Sequence, residues 1–597
     1  MLHFEIRGNV AQFLRTPRDT RQGTASATLR GTIAVSQDAL SHTDVTTVSN
    51  PMPPPPVVAK LDQHRPQGLG AHPSLPSPIS IIALSKYLSD YHSALSDYLI
   101  QGFSFGFSLD FQGPQLSNRC TNLPSALQSP DIVSTKLQRE LDAGRIQGPF
   151  RHPPFSTPFN VSPIGLHPKK APGEFRLIHH LSHPHSASVN SFIPPQLSTV
   201  HYATIGDAIS SILKHGQGCF MAKSDIRSAF RLIPIHPRDY PLLGFMWSGE
   251  FYFDRCLPMG AASSCAIFER FSTALEWITL GSVHNCSVHH VLDDFIFIAP
   301  TAMECQMGLD AFLEICKNVG VPIADEKTQG PCTTLTFLGI ELDSLDMESR
   351  LPIDKLEKCQ SSIRDAIGRR SATLRELQSI TGLLNFACSV VQPGRAFLRR
   401  LIQLTMGKTR PSHFINLTKG SKDDLRMWLS FLAQFNGKSV FLSEVWLSSV
   451  KLKLYTDAAQ SLGYGAIFRR SWFYGEWPTE WKKYSISVLE LYPIVLAVET
   501  WANTMANQCV LLYTDNEAIV SVINKQTARD PILMILVRRL VLTSLRFNIL
   551  FQAIHIPGVT NTLPDLLSRL QVEKFRKLAK DMDHQPTIIP CISQGLR

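Results

Sequence analysis

Asp293 and Asp294 stand side by side inside an apolar run, Val288-His-His-Val-Leu-Asp-Asp-Phe-Ile-Phe-Ile-Ala299. Val, Leu, Phe and Ile at that density predict two short buried strands joined by a tight hairpin. Two carboxylates there repel each other and resist desolvation, and a divalent cation is the simplest compensation. Taken alone, a solvated turn between edge strands is an equal alternative. Further carboxylates at strand ends decide between the two. Asp225 follows an apolar strand in Cys219-Phe-Met-Ala-Lys-Ser-Asp-Ile-Arg-Ser-Ala-Phe230, where an isolated aspartate would ordinarily be a helix N-cap. Three such carboxylates in one mixed region suit two Mg²⁺ ions about 3.5–4 Å apart, one activating a hydroxyl and both gripping phosphate oxygens.

A second acidic set lies downstream. Leu452-Lys-Leu-Tyr-Thr-Asp457 and Val510-Leu-Leu-Tyr-Thr-Asp515 are apolar strands ending in the same Tyr-Thr-Asp. Glu490, in Ser487-Val-Leu-Glu-Leu-Tyr-Pro-Ile494, begins a predicted amphipathic helix running to about Ala506. Asp565 follows His555-Ile-Pro-Gly-Val-Thr-Asn561 and opens a final helix. Each acid singly reads as a cap or a solvated group. Four together, from strand, helix, strand and helix, are too many for capping alone.

The elements that must position these acids belong to a chain of 597 residues, long enough for several domains. Hydrophobic content of 44% and a mean hydropathy near zero fit globular protein. A net charge of +9 and a pI near 8.9 suit a polyanionic partner, though many enzymes of neutral substrates look the same. The 12 cysteines are scattered with no C-x-x-C, which argues against a zinc ribbon, a zinc knuckle or a disulfide framework. Reduced thiols inside a cell, in cytoplasm or nucleus, are the expectation. The histidines at 179, 180, 183, 185, 289 and 290 lack cysteine partners at ligand spacing, so zinc is not expected there. The apolar stretch Ile532 to Ile554 is interrupted by Arg538, Arg539 and Arg546 and cannot span a bilayer, so no membrane partner is expected. The N-terminus lacks a signal peptide's apolar core, and secretion is not expected. Its arginines with Ser and Thr faintly suggest a transit peptide, which Glu5, Asp19, Asp38 and Asp44 weaken.

Along the chain, residues 1–79 show no sustained period, and Pro51-Met-Pro-Pro-Pro-Pro56 cannot join a helix or central strand, so a disordered Pro/Ser-rich region is expected. Residues 80–130, with Tyr87, Tyr91, Tyr98, Phe103, Phe105, Phe107 and Phe111, read as a leader packed on the next domain. Leu137 to Ile146 predicts a short helix. Residues 131–345 mix strands and helices in one α+β domain. Residues 346–446 turn helical: Thr373-Leu-Arg-Glu376 is a capping box, followed by Leu377, Leu384 and Val391 on one face, with Pro393-Gly394 as the expected stop. A polar stretch from Lys408 to Asp424 leads to a last domain, 447–570, of strands, a long helix, a strand, further helices, a strand and a final helix. Residues 571–597 form a tail.

Several of these segments resemble the reverse transcriptases of retroelements. Val161-Ser-Pro-Ile-Gly-Leu-His-Pro-Lys-Lys-Ala-Pro-Gly-Glu-Phe-Arg-Leu-Ile178 is similar to that family's fingers. Asp225 to Phe230 fits its D-x-x-x-A-F motif, Leu257-Pro-Met-Gly-Ala-Ala-Ser-Ser264 its glycine turn, and Leu292-Asp-Asp294 its metal-binding hairpin. Lys327 and Phe337-Leu-Gly339 match its two closing palm motifs. Met259 and Val291 replace the Gln and Tyr that many retroviral enzymes carry. With Phe175-Arg-Leu-Ile-His-His180 and Pro393-Gly-Arg-Ala-Phe397, this variant looks most like DIRS-like retrotransposons.

That resemblance implies roles. Asp225 and Asp293 would hold both metals, with Asp294 supporting the pair. Lys169, Lys170 and Arg176 would meet the triphosphate, with a solvated basic loop as the alternative. Phe230 would lie under the sugar and exclude a 2′-hydroxyl, with a core phenylalanine as the competing view. Gly260 would sit at the nucleotide, and Lys327 would protonate the leaving pyrophosphate, or be a surface lysine.

The order Asp457, Glu490, Asp515 and Asp565 resembles ribonuclease H, and His555 with Asn561 matches its final motif. Pro564 stands where relatives often have a small residue, a tolerable change in a helix's first turn. Together the resemblances imply an α+β multidomain chain, a right-hand polymerase of fingers, palm and helical thumb followed by an α/β ribonuclease H-like domain with a mixed sheet. They imply an RNA-directed DNA polymerase with ribonuclease H activity, using two Mg²⁺ per active site, with Mn²⁺ as a substitute. The implied partners are an RNA template, a DNA primer, RNA–DNA hybrid and dNTPs, with capsid and recombinase proteins on separate chains. A decayed or domesticated copy, active only as the nuclease or only as a nucleic-acid binder, is the alternative.

Overall fold

The computed structural model describes residues 75–169, 173–434, 439–440, 447–448, 454–557 and 561–589. The Pro/Ser-rich region up to residue 74, together with Lys170, lies outside them. Leu75 to Ile79, grouped with that region by composition, are already packed: Ile79 is buried and the Ser77 hydroxyl donates to Leu232 O. Helices α1 (Ile81–Tyr87) and α2 (Ser93–Phe105) come next. Phe103 meets Phe271 at 5.0 Å and Tyr91 meets Trp277 at 4.9 Å.

Helix α3 spans Pro130–Asp142, starting earlier than expected because Pro130 and Asp131 suit a first turn. Gly144, at φ +65°, ends it, and Ile146 opens strand β1 (Ile146–Phe150) instead of closing the helix. The hairpin β2 (Ile164–Pro168) and β3 (Phe175–His179) comes after it, then α4 (Ile205–His215) and β4 (Phe220–Asp225). Strands β5 (Gly244–Trp247) and β6 (Glu250–Asp254) join β1 in a sheet of order β1-β6-β5.

Helix α5 (Ser264–Ser282) leads into the expected hairpin, β7 (Ser287–Val291) and β8 (Asp294–Ala299), followed by α6 (Ala302–Val319) and β9 (Gln329–Cys332). Their sheet runs β7-β8-β4-β9, antiparallel throughout. Strand alternation sorts its two faces. Met221, Ile296 and Ile298 pack with Ala208 and Ile212 of α4. On the other face Phe295 and Phe297 lie 4.5 and 5.4 Å from Phe312 of α6. Both faces are covered, which is why β8 is apolar at every position after Asp294.

Strands β10 (Thr334–Phe337), β11 (Ile340–Asp343) and β12 (Glu348–Arg350) form the next small sheet. Then come α7 (Ile353–Gly368), β13 (Ser371–Thr373), α8 (Leu374–Ala387), α9 (Arg399–Thr405), β14 (Phe414–Asn416) and α10 (Lys419–Gln434). The capping box opens α8 as expected: the Thr373 hydroxyl accepts from Glu376 N, and the Glu376 carboxylate accepts from Thr373 N at 2.7 Å. The helix stops at Ala387, not at Pro393-Gly394, and the chain then runs through a 3₁₀ turn, Gln392–Phe397. A proline disfavours helical backbone in the residue before it, so the helix breaks upstream. The polar stretch 408–424 is not a plain linker, since it holds β14 and the first turn of α10.

In the C-terminal part, β17 (Leu454–Ala458), β18 (Gly463–Phe468) and β19 (Ser471–Glu476) form an antiparallel meander, numbered after the two-residue strands β15 (Ser439–Val440) and β16 (Leu447–Ser448). Helix α11 (Ile486–Trp501), strand β20 (Cys509–Thr514), helices α12 (Glu517–Lys525) and α13 (Pro531–Phe547), strand β21 (Leu550–His555), and helices α14 (Thr562–Ser568) and α15 (Val572–Leu578) complete it. β16, β20 and β21 are parallel, and β20 lies beside β17, giving a mixed arrangement. α11 is not amphipathic. It is buried on all sides because β17 and β18 cover one face and α13 the other. Among the described residues no helix is long and apolar enough to cross a membrane.

Candidate active sites

β4 and β8 pair so that Asp225 faces Asp294, at the end of the stripe that Met221, Ile296 and Ile298 share. Asp293 sits in the turn between β7 and β8, where its carbonyl accepts from Ile226 N at 3.0 Å. The β4–β8 pairing therefore gathers all three acids. Asp225 is 4% exposed and receives Lys327 Nζ on Oδ2 at 2.7 Å. Burial, then the Asp225 charge, pushes Asp293 up to about 6. Burial, a hydrogen bond with Asp225 and the Asp293 charge push Asp294 up to about 7.

These residues fit a divalent cation. Asp293 Oδ1 is buried without a hydrogen-bond partner, and the mutual repulsion of the three carboxylates is what a cation relieves. Among the described residues no three Asp, Glu, His or Cys side chains already converge as a metal cage. Asp225 is turned toward Lys327 instead.

The other residues read from sequence sit around this centre unequally. Lys169, on the β2–β3 loop, pairs with Glu174 at 3.0 Å, and Arg176 lies on β3 opposite His167. Phe230 is 1% exposed and packs on Phe268 at 5.3 Å. Gly260 is required by close approach: a Cβ there would fall 1.9 Å from His179 O at the end of β3.

The second set also gathers. Asp457 projects from β17, Asp515 follows β20, Glu490 lies on α11 and Asp565 on α14. Burial, with Asp457 and Asp515 nearby, raises Glu490 to about 9. Asp457 is raised to about 6 by burial and by Asp565 and Asp515, against a hydrogen bond from Ser568. This chemistry again fits a cation. His555 stands at the edge of the set, its Nε2 3.2 Å from Asp515 O. Asn561 donates to Thr456 O at 2.8 Å, tying the last motif to β17.

Residues 167–342 match the family model for reverse transcriptase (RNA-dependent DNA polymerase). That segment, which carries Asp225, Asp293 and Asp294, is similar to a reverse transcriptase domain. A Gag-Pro-Pol polyprotein of Human T-cell leukemia virus 2 is 27% identical over 51% of this chain and 19% of its own length. The Transposon Tf2-3 polyprotein of Schizosaccharomyces pombe is 23% identical over 81% of this chain and 34% of its own. The chain thus spans about a third or less of these relatives. A structure of the foamy viral protease-reverse transcriptase in complex with RNA/DNA hybrid aligns at TM-score 0.45 and 16% identity, over 88% of this chain and 67% of the other. The architecture is a mixed α/β region that holds the reverse transcriptase match, followed by a sheet-containing α/β domain.

Three groups around the sites escaped sequence reading. Lys223, on the acids' face of β4, donates to Thr336 O at 2.8 Å and ties the sheet β7-β8-β4-β9 to β10. Glu269 of α5 accepts from Leu292 N, just before the acidic pair. Ser568 holds Asp457 from 111 residues away. None carries a local motif, because each acts through a contact between distant segments.

Proposed function

We propose that this chain is an RNA-directed DNA polymerase with ribonuclease H activity, serving retrotransposon replication, most like a DIRS-like element. One observation carries the polymerase reading: Asp225 and Asp294 face each other across adjacent strands, with Asp293 in the turn, inside the segment that matches the reverse transcriptase family. In this reading residues 131–345 are fingers and palm, 346–446 thumb and connection, and 447–570 the nuclease. Its substrates are an RNA template, a DNA primer and dNTPs, and then the RNA strand of the resulting hybrid, inside the cell.

Asp225, Asp293 and Asp294 would hold Mg²⁺ in the first centre, and Asp457, Glu490, Asp515 and Asp565 in the second. Bound there, the metal supplies Lewis acidity toward phosphate oxygens. The chain's own groups do the rest. Lys169 from the β2–β3 loop, Arg176 from β3, and Lys170 bind the triphosphate. Lys327 keeps a proton beside Asp225 that a leaving pyrophosphate can take. In the second centre Ser568 orients Asp457, and Asn561 fixes the strand that carries it.

The test is one preparation assayed for primer extension on RNA and for cleavage of an RNA–DNA hybrid, with Mg²⁺. Asp293→Ala should abolish extension and spare cleavage, Asp457→Asn should do the reverse, and Asp294→Ala should keep part of the extension. A folded wild-type protein that extends no primer removes the polymerase reading. Cleavage insensitive to Asp457→Asn removes the nuclease reading.

A further inference from the structure

Behind the acidic hairpin lies a buried ionic cluster that the chemistry above does not use. His290 and Glu269 are 6% and 9% exposed. Glu269 and Glu276 are seven residues apart on α5, two turns along one face. The His290 ring lies between them, with Nδ1 bonded to Glu276 Oε2 and Nε2 3.3 Å from Glu269 Oε1. The other Glu269 oxygen, Oε2, accepts from Leu292 N at 3.2 Å. Leu292 is the residue before Asp293, and its φ of +55° is left-handed, a strained backbone for a non-glycine residue. The ring of His290 also stacks on Phe295 at 5.2 Å, just past Asp294.

We infer that Glu269 is a positioning residue for the acidic hairpin, fixing the strained Leu292 peptide from α5, with His290 and Glu276 fixing Glu269. This deepens the polymerase reading and rests on it for its kinetic consequence. Burial alone would leave two carboxylates on α5 repelling each other. The imidazolium between them turns that repulsion into a brace, and its proton is correspondingly hard to remove. Burial opposes the charged ring, but its ion pairs with Glu269 and Glu276 outweigh burial and push His290 up to about 9. A brace touching the backbone one residue before Asp293 sets where that carboxylate stands, and displacement of a reacting group by about 1 Å can cost on the order of 100-fold in rate.

The experiment compares Glu269→Ala, Glu269→Gln and wild type in the full chain. Hydrogen exchange across residues 287–299 reads the hairpin directly, and primer-extension kinetics read its consequence. Glu269→Ala should speed exchange at Leu292 at least ~10-fold. It should lower kcat ~10–100-fold while KM for dNTP stays within ~3-fold. Glu269→Gln keeps an acceptor for Leu292 N and should recover most of both. Unchanged exchange in Glu269→Ala, or a Gln variant no better than Ala, overturns the inference. If the wild-type protein extends no primer, the polymerase reading fails, while the exchange measurement still decides whether Glu269 holds the hairpin.

Discussion

Lys327 Nζ lies 2.7 Å from Asp225 Oδ2, so the end of the central sheet carries its own cation against three clustered acids. The same ammonium lowers Asp293. Removing it raises Asp293 beyond about 6, so more of that carboxyl stays protonated near neutral pH, and the activity that needs the carboxylate is lost at a higher pH. Lys327→Ala is expected to cut extension at neutral pH about 10-fold or more and to move the acidic limb of the pH–rate profile upward. A reduced rate with an unmoved acidic limb would mean that the lysine acts on the substrate alone.

Glu490, raised to about 9, keeps its proton at pH 7 until a cation displaces it. Metal binding at the second centre should therefore release about one proton at pH 7. Raising the pH toward 9 should tighten binding by up to about tenfold per unit. Calorimetry in buffers of different ionisation enthalpy measures the release directly. Glu490→Gln should lack it; equal release by that variant and wild type would contradict the assignment.

Phe230 is packed in the core, so its first duty is stability. Phe230→Ala is expected to cost about 3–5 kcal/mol. The smaller change Phe230→Leu, which keeps an apolar side chain, should stay folded and discriminate dNTP from rNTP within ~3-fold of wild type. A rise in rNTP incorporation of two orders of magnitude would restore the ring to the sugar.

Asp424 of α10, 2% exposed, accepts from Arg400 at 2.9 Å and from Arg538 of α13 at 3.2 Å. This pairing joins the helical region to the C-terminal domain. Asp424→Ala leaves two guanidinium groups facing each other and should destabilise the junction by about 3–5 kcal/mol. Denaturant unfolding gives the loss, and hydrogen exchange should show α13 opening first. If the α13 amides stay as protected as in wild type, the pairing is not what holds the junction.

By itself the sequence determined the local pieces. Alternating and continuous apolar runs placed β4, β7, β8, β17 and β20, because a buried strand must be built from residues that pack on both faces. The capping box at Thr373 was equally legible, since its four residues satisfy one another within a single turn. The acids were legible too, as carboxylates are rare at the ends of apolar strands unless something compensates them. What failed depended on neighbours. α11 reads as amphipathic in isolation, yet β17, β18 and α13 bury it on every side. Phe230 fits a nucleotide-facing position in the chain, and only the fold showed that it packs on Phe268. Most of all, only tertiary structure showed that the Leu292 peptide, just before Asp293, donates to Glu269 on another element, with His290 between two glutamates. Hydrogen bonds and ion pairs between segments depend on the register of strands and the angle of helices, and no single stretch of sequence encodes either.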